Sequence, residues 1–170
     1  MSNSLRDKVV VVTGASSGIG SSIAIESASR GATVILMARH QDKLEEIANE
    51  ARQLSGNEVY VFPTDISKAD QIDRAFNEIV SHVDHIDYLV NAAGFGVFKE
   101  FLETSPQVVT EMFQTNVLGL MYFTRLVARV MIDQKQGQII NFGSIAGIVP
   151  TTKTAAYSAT KAAIIQFSNV

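Results

Sequence analysis

The chain has 170 residues, 46% of them hydrophobic, enough for one sizeable core, so it reads as a single domain over residues 1–170. A formal charge of −3 with no basic run excludes a nucleic-acid surface as a favoured partner, because neutralising phosphates takes clustered Lys and Arg. There is no Cys, hence no disulfide, thiol nucleophile or thiolate metal site, as suits a reducing compartment. The start Met1-Ser2-Asn3-Ser4 lacks a signal-peptide core and no apolar run approaches a membrane span, so no membrane partner is expected and a cytoplasmic location is.

In chain order, apolar strand-like runs recur at Val9–Val12, Thr33–Met37, Val59–Phe62, Tyr88–Val90 and Gln138–Phe142. Helix-compatible segments alternate with them: Gly18–Ser29, Asp42–Ser55, Ser67–Val80, Pro106–Met131 with a break near Thr115, and a last helix from about Tyr157. This alternation predicts βαβ units and a doubly wound, mostly parallel α/β sheet. Ser67 three residues before Asp70 predicts a capping box, and Ser105-Pro106 places Pro in a first helical turn. Right-handed crossovers put the C-terminal strand ends and their loops on one edge, where ligands bind.

The junction Val9-Val10-Val11-Val12-Thr13-Gly14-Ala15-Ser16-Ser17-Gly18-Ile19-Gly20 is the most informative stretch. A β-branched run suits a strand buried on both faces, and it ends in glycines that open a helix. Gly14 suits a sharp turn, Gly18 a close approach of diphosphate to the backbone, and Gly20 close packing of the following helix. The unpaired N–H groups of that helix start favour phosphate. The spacing is Gly-x3-Gly-x-Gly, neither the Gly-x-Gly-x2-Gly fingerprint nor a P-loop, whose Lys is absent. The same residues fit a Gly-x-Ser-x-Gly nucleophile elbow with Ser16 at its centre. That reading needs a later acid and then a His, and no His follows the fifth strand, so a serine hydrolase is disfavoured.

Tyr157-Ser158-Ala159-Thr160-Lys161 places a phenol and an ammonium one turn apart on a helix face. A free phenol titrates near about 10, and a neighbouring cation favours the phenolate, which suits general acid/base work. Ser144 ends the fifth strand-like run on the same loop edge as the glycine turn. Its hydroxyl has two readings, as a donor to a substrate oxygen or as a partner for the local backbone.

Taken together and in order, these segments resemble the short-chain dehydrogenase/reductase family. Thr13–Gly20 is similar to its cofactor turn, and Asn91-Ala92-Ala93-Gly94 to its Asn-Asn-Ala-Gly motif with Ala at the second Asn. Asn116, Ser144, Tyr157 and Lys161 follow the order of its Asn-Ser-Tyr-Lys tetrad.

The resemblance implies hydride transfer between a nicotinamide dinucleotide and a small carbonyl or alcohol substrate. Tyr157 is then general acid/base, Ser144 orients the substrate oxygen, and Lys161 binds the nicotinamide ribose and tunes Tyr157. Asn116 holds a water in the proton relay, and Asp65 contacts adenine. The cofactor-binding set is Gly14, Ser16, Ser17, Gly18, Ile19, Gly20, Arg39, Asp65, Asn91, Ala92, Gly94, Tyr157 and Lys161. After the second strand, Ala38 stands where NAD-preferring members carry an acid, and Arg39 follows as in members preferring NADP. NADP is therefore expected over NAD. A dimer or tetramer is implied for the whole protein. A non-catalytic dinucleotide sensor or scaffold is the alternative, since resemblance alone does not establish turnover.

His40, His82 and His85 lack a ligand spacing and read as surface histidines, with no metal site expected; Asp84 and Asp87 read as turn residues. Phe95, Val97, Phe98, Ile145, Ile148 and Val149 follow the fourth and fifth strands, and divide between pocket lining and core. The last helix runs to the final residues with neither a Gly/Asn cap nor a Pro stop. The chain is therefore expected to lack C-terminal strands of its domain and to be inactive, or barely active, alone.

Overall fold

The computed structural model describes residues 5–149 and 151–169; the polar start Met1–Ser4 and the last residue Val170 lie outside the described residues. Five strands, β1 Val9–Thr13, β2 Thr33–Ala38, β3 Val59–Pro63, β4 Tyr88–Asn91 and β5 Gln138–Asn141, form one parallel sheet in the order β3-β2-β1-β4-β5. Helices α1 Gly18–Ser29, α2 Gln41–Leu54, α3 Ala69–His82, α4 Pro106–Phe113, α5 Leu120–Asp133 and α6 Ala155–Ser168 connect or follow them.

Each face of the sheet has its own core, as period-2 alternation requires of strands buried on both sides. Val10, Val12, Val34 and Leu36 pack against Ala24 and Ala28 of α1 and Leu44, Ala48 and Ala51 of α2. Val9, Val11, Ile35, Met37 and Leu89 pack the other way, against Ile72 and Ile79 of α3 and Phe123 and Val127 of α5. The small residues of α1 let it lie close to β1. β5 has β4 on one side and no strand on its other side among the described residues.

Two helix caps differ from expectation, and helix bounds shift by one or two residues. The capping box at Ser67 does not form: Ser67 donates its N–H and its hydroxyl to Asp65 Oδ1 at 2.9 and 2.8 Å, and α3 starts two residues later behind Lys68 with no side-chain cap. At the far end Asn169 takes the C-cap position of α6, where none was expected. Ser105 caps α4 through Val108 N–H, with Pro106 in the first turn.

The break expected near Thr115 is a six-residue π-helical segment, Gln114–Gly119, joining α4 to α5. At Gly119 a side chain has no room, because a Cβ there would overlap the Ile66 carbonyl oxygen. The chain order reverses between β1 and β4, and the crevice at such a switch point is where ligands bind in open α/β sheets.

Candidate active site

That crevice is a cleft of about 390 Å³ at the C-terminal ends of β1, β2 and β4. Its floor is the glycine turn. Gly14 has φ +69°, in the left-handed region, and a Cβ on it would stand 2.7 Å from the Ala93 backbone. A Cβ on Gly20 would overlap the Gly14 carbonyl oxygen, so α1 begins tight against the turn that precedes it. Ser17 caps α1 without a side-chain bond, leaving the first N–H groups of the helix directed at the cleft. Ser16, Ser17, Gly18 and Ile19 all line it.

One end of the cleft is cationic. Arg39, His40 and Lys43 line it, and all three are exposed. Arg39 makes no ion pair among the described residues. Asp65, which also lines the cleft, has its Oδ1 taken by Ser67, which leaves Oδ2 for a donor. The wall that adjoins the glycine turn is Ala92, Ala93, Gly94 and Phe95.

Behind that wall Asn116, Tyr157 and Lys161 of the tetrad converge. Asn116, fully buried in the π segment, accepts from Phe95 N–H at 3.0 Å and donates through Nδ2 to the Phe95 carbonyl at 2.8 Å and Thr160 Oγ1 at 3.1 Å. Both amide hydrogens are thus committed. A Cβ on Gly94 would begin 3.0 Å from Asn116 Oδ1 and 4.0 Å from Lys161 Nζ, and one on Gly96 would stand 2.9 Å from Tyr157 Cδ2. The loop backbone is therefore pressed onto Asn116 at Gly94 and onto Tyr157 at Gly96, with Lys161 Nζ near Gly94.

Lys161 is 8% exposed; its Nζ donates to the Phe142 carbonyl at 2.8 Å and lies 5.7 Å from the Tyr157 ring centroid. Burial pulls its ammonium below the ordinary lysine range. Two of its three N–H donors remain for a ligand. Ser144 Oγ accepts from Ala146 N–H at 3.2 Å, capping the 3₁₀ turn Ile145–Gly147, and keeps its own hydrogen to donate. Phe98 stands over Tyr157, ring centroids 5.5 Å apart.

Of the predicted cofactor set, Gly14, Ser16, Ser17, Gly18, Ile19, Gly20, Arg39, Asp65, Ala92 and Gly94 line this one cleft. Tyr157 and Lys161 stand behind its wall rather than in its lining, and Asn91 does not line it either: its amide is buried, donating to Thr124 Oγ1 and Asn141 Oδ1 at 2.9 Å each, so it ties β4 to α5 and β5. His40, expected only as a surface histidine, is part of the cleft, as are Lys43, Thr64, Ile66 and Thr115, none of which was expected to bind the cofactor, and Thr13, the first residue of the expected cofactor turn. Their signal was adjacency, since each lies within a few residues of a strand end or a tetrad residue. Of the apolar loop residues, none enters the core; Phe95 lines the cleft and Phe98, Ile145, Ile148 and Val149 are exposed. Among the described residues no helix is long and apolar enough to cross a membrane, and no group of three His, Asp or Glu could hold a metal ion.

A doubly wound parallel sheet with a glycine-floored cleft at its switch point defines the class of protein. The family model described as short chain dehydrogenase matches residues 8–170, and the chain belongs to the short-chain dehydrogenase/reductase family. It is 37% identical over 164 residues to "11-beta-hydroxysteroid dehydrogenase-like 5" of Arabidopsis thaliana, covering 96% of this chain and 42% of that protein. Among solved structures, a metagenomic short-chain oxidoreductase in complex with NADP superposes with a TM-score of 0.92 at 34% identity, over 97% of this chain and 75% of that one. A xylitol dehydrogenase bound to NAD⁺ also superposes with a TM-score of 0.92, at 29% identity over 96% of this chain and 63% of that one. The chain spans between 42% and 68% of the length of the curated relatives it matches.

Proposed function

We propose that the protein binds NADP(H) in this cleft and exchanges a hydride with a carbonyl or alcohol substrate, Tyr157 acting as general acid/base. One observation carries the reading: a single cleft runs from Arg39 and Lys43, past the open glycine turn, to the Gly94–Phe95 wall against which Lys161, Asn116 and Tyr157 are gathered.

The residues present fit the dinucleotide. The α1 N-terminus and the Gly14–Gly20 turn offer backbone N–H groups to a diphosphate, with no side chain in the way at Gly18. Arg39 gives a 2′-phosphate a guanidinium, with Lys43 beside it, while Ala38 offers no carboxylate to a free 2′-hydroxyl. Asp65 Oδ2 accepts from an exocyclic amine. Lys161 turns its two free donors toward ribose hydroxyls. When bound, the dinucleotide supplies or accepts the hydride.

In the reductive direction Ser144 donates its hydroxyl hydrogen to the substrate oxygen and polarises the carbonyl. Tyr157 then transfers its phenolic proton to that oxygen as the carbon gains the hydride, and it recovers a proton from solvent. In the oxidative direction the phenolate takes the alcohol proton. The Asn116 side chain clamps the loop, both amide hydrogens being spent on Phe95 and Thr160, so a relay water at Asn116 is left its backbone groups. Calorimetry with NADPH and NADH, followed by NADPH-linked turnover on a carbonyl panel, tests the assignment. Tighter NADPH binding is expected; absence of dinucleotide binding would overturn it.

A further inference from the structure

One polar side chain on the Tyr157–Lys161 turn faces neither solvent nor the cleft. Thr160 is wholly buried, and its hydroxyl joins two elements 44 residues apart: it donates to the Tyr157 carbonyl at 2.7 Å and accepts from Asn116 Nδ2 at 3.1 Å. A buried helical threonine often bonds back to its own helix, and the first of these bonds needs no further explanation. The second does.

The Asn116 amide that reaches Thr160 also holds both polar groups of the Phe95 backbone, and at Gly96 the same loop lies against the Tyr157 ring. The contacts close a circuit from the Tyr157 carbonyl through Thr160, Asn116 and Phe95, then across Gly96 back to the Tyr157 ring. Within α6 the Tyr157 carbonyl is also the helical acceptor for Lys161 N–H, so Thr160 bonds to the peptide group that links the two residues. Asn116 is itself anchored, because the π segment ends at Gly119, pressed on the Ile66 carbonyl.

We infer that Thr160 is a positioning residue: through Asn116 it sets where the Tyr157–Lys161 turn stands relative to the cleft wall. The inference rests on the reading of Tyr157 and Lys161 given above. Removing the hydroxyl leaves a buried Asn116 N–H without an acceptor and frees the turn to shift against the loop.

Thr160→Val keeps the volume and the β-branch but loses the hydroxyl; Thr160→Ser keeps the hydroxyl. In the full chain, amide hydrogen exchange at Phe95, whose N–H lies on Asn116, should quicken roughly tenfold in Thr160→Val, as expected for one weakened hydrogen-bonded link. Exchange at Val11 and Ile35 in the sheet should stay at the parental rate. The Kd for NADPH should rise several-fold, because Lys161 moves with the turn, and Thr160→Ser should restore both readouts. Unchanged Phe95 exchange, failure of Ser to rescue, or a rise spread over Val11 and Ile35 would overturn the proposal. Should Thr160→Val fail to fold, Thr160→Ala removes the same hydroxyl and its Phe95 exchange decides. If the parent binds no NADPH, the reading of the cleft fails, and Phe95 exchange alone still judges Thr160.

Discussion

The two edges of the sheet treat buried charge in opposite ways. At the N-terminal edge Asp87, 3% exposed, accepts from Lys8 Nζ at 2.8 Å, Val9 N–H at 2.9 Å and Gln136 Nε2 at 2.9 Å, and its Oδ2 lies 3.1 Å from His85 Nε2. Burial pushes its carboxyl up, but the Lys8 bond, the Val9 N–H and the Lys8 and His85 charges outweigh that and hold it below the ordinary range. At the C-terminal edge Lys161 is nearly as buried, yet it has one carbonyl acceptor and no carboxylate.

A charge whose partners are complete ties strands together, here the starts of β1, β4 and β5. One with spare donors beside a cleft is poised for a ligand, because burying an unpaired charge has a cost that only a function or a partner offsets. Asp87 is thus more than the turn residue its place in the sequence suggested.

If the C-terminal edge is the chemical one, the largest effect belongs to Tyr157→Phe. In an active chain extended to the length of its relatives, kcat should fall about 10²- to 10⁴-fold while the Kd for NADPH stays within about twofold, measured by single-turnover absorbance and calorimetry. Retention of more than about a tenth of the parental rate, with chemistry rate-limiting, would remove the proton-donor role.

Gly20→Ala sharpens the contrast from the cofactor side. The added methyl overlaps the Gly14 carbonyl oxygen, so NADPH affinity should drop about tenfold or more while the protein remains folded by circular dichroism.

Asp87→Ala probes the opposite edge. It should lower the unfolding free energy by about 2 kcal/mol in urea melts and leave NADPH affinity alone. Its pH dependence has a definite sign. The folded carboxyl titrates below its unfolded value of about 3.9, so the stabilisation is complete above that pH and is lost as pH falls through the folded value. The parent-minus-variant difference should shrink below about pH 4; a difference flat with pH would show that the carboxylate is not what holds this edge.

The smallest change is at the exposed cationic end. Ala38→Asp should move the NADPH to NADH affinity ratio about tenfold toward NADH, read by calorimetry at fixed salt. Equal affinities in the parent would mean that Arg39 does not discriminate.

Much of this was legible in the amino-acid order. Runs such as Val9–Val12 and Tyr88–Val90 are strands because β-branched and aromatic residues suit a sheet buried on both faces, and the observed bounds move by a residue at most. Gly14–Gly20, Arg39, Asp65 and Ala92–Gly94 reach one cleft because each directly follows a strand end, and a parallel sheet puts all such ends on one edge.

Only the tertiary structure decided what depends on distant partners. Asn91, last residue of β4, turns its amide to Thr124 and Asn141, 33 and 50 residues away. Ser67 gives its hydroxyl to Asp65 and so never caps α3. Asn116 becomes a clamp because Phe95 and Thr160, 21 and 44 residues off, arrive at its amide. Period and propensity report which face a side chain takes on its own element. Which group from another element meets that face, and whether it leaves a donor or a charge unspent for a ligand, is set when the layers pack.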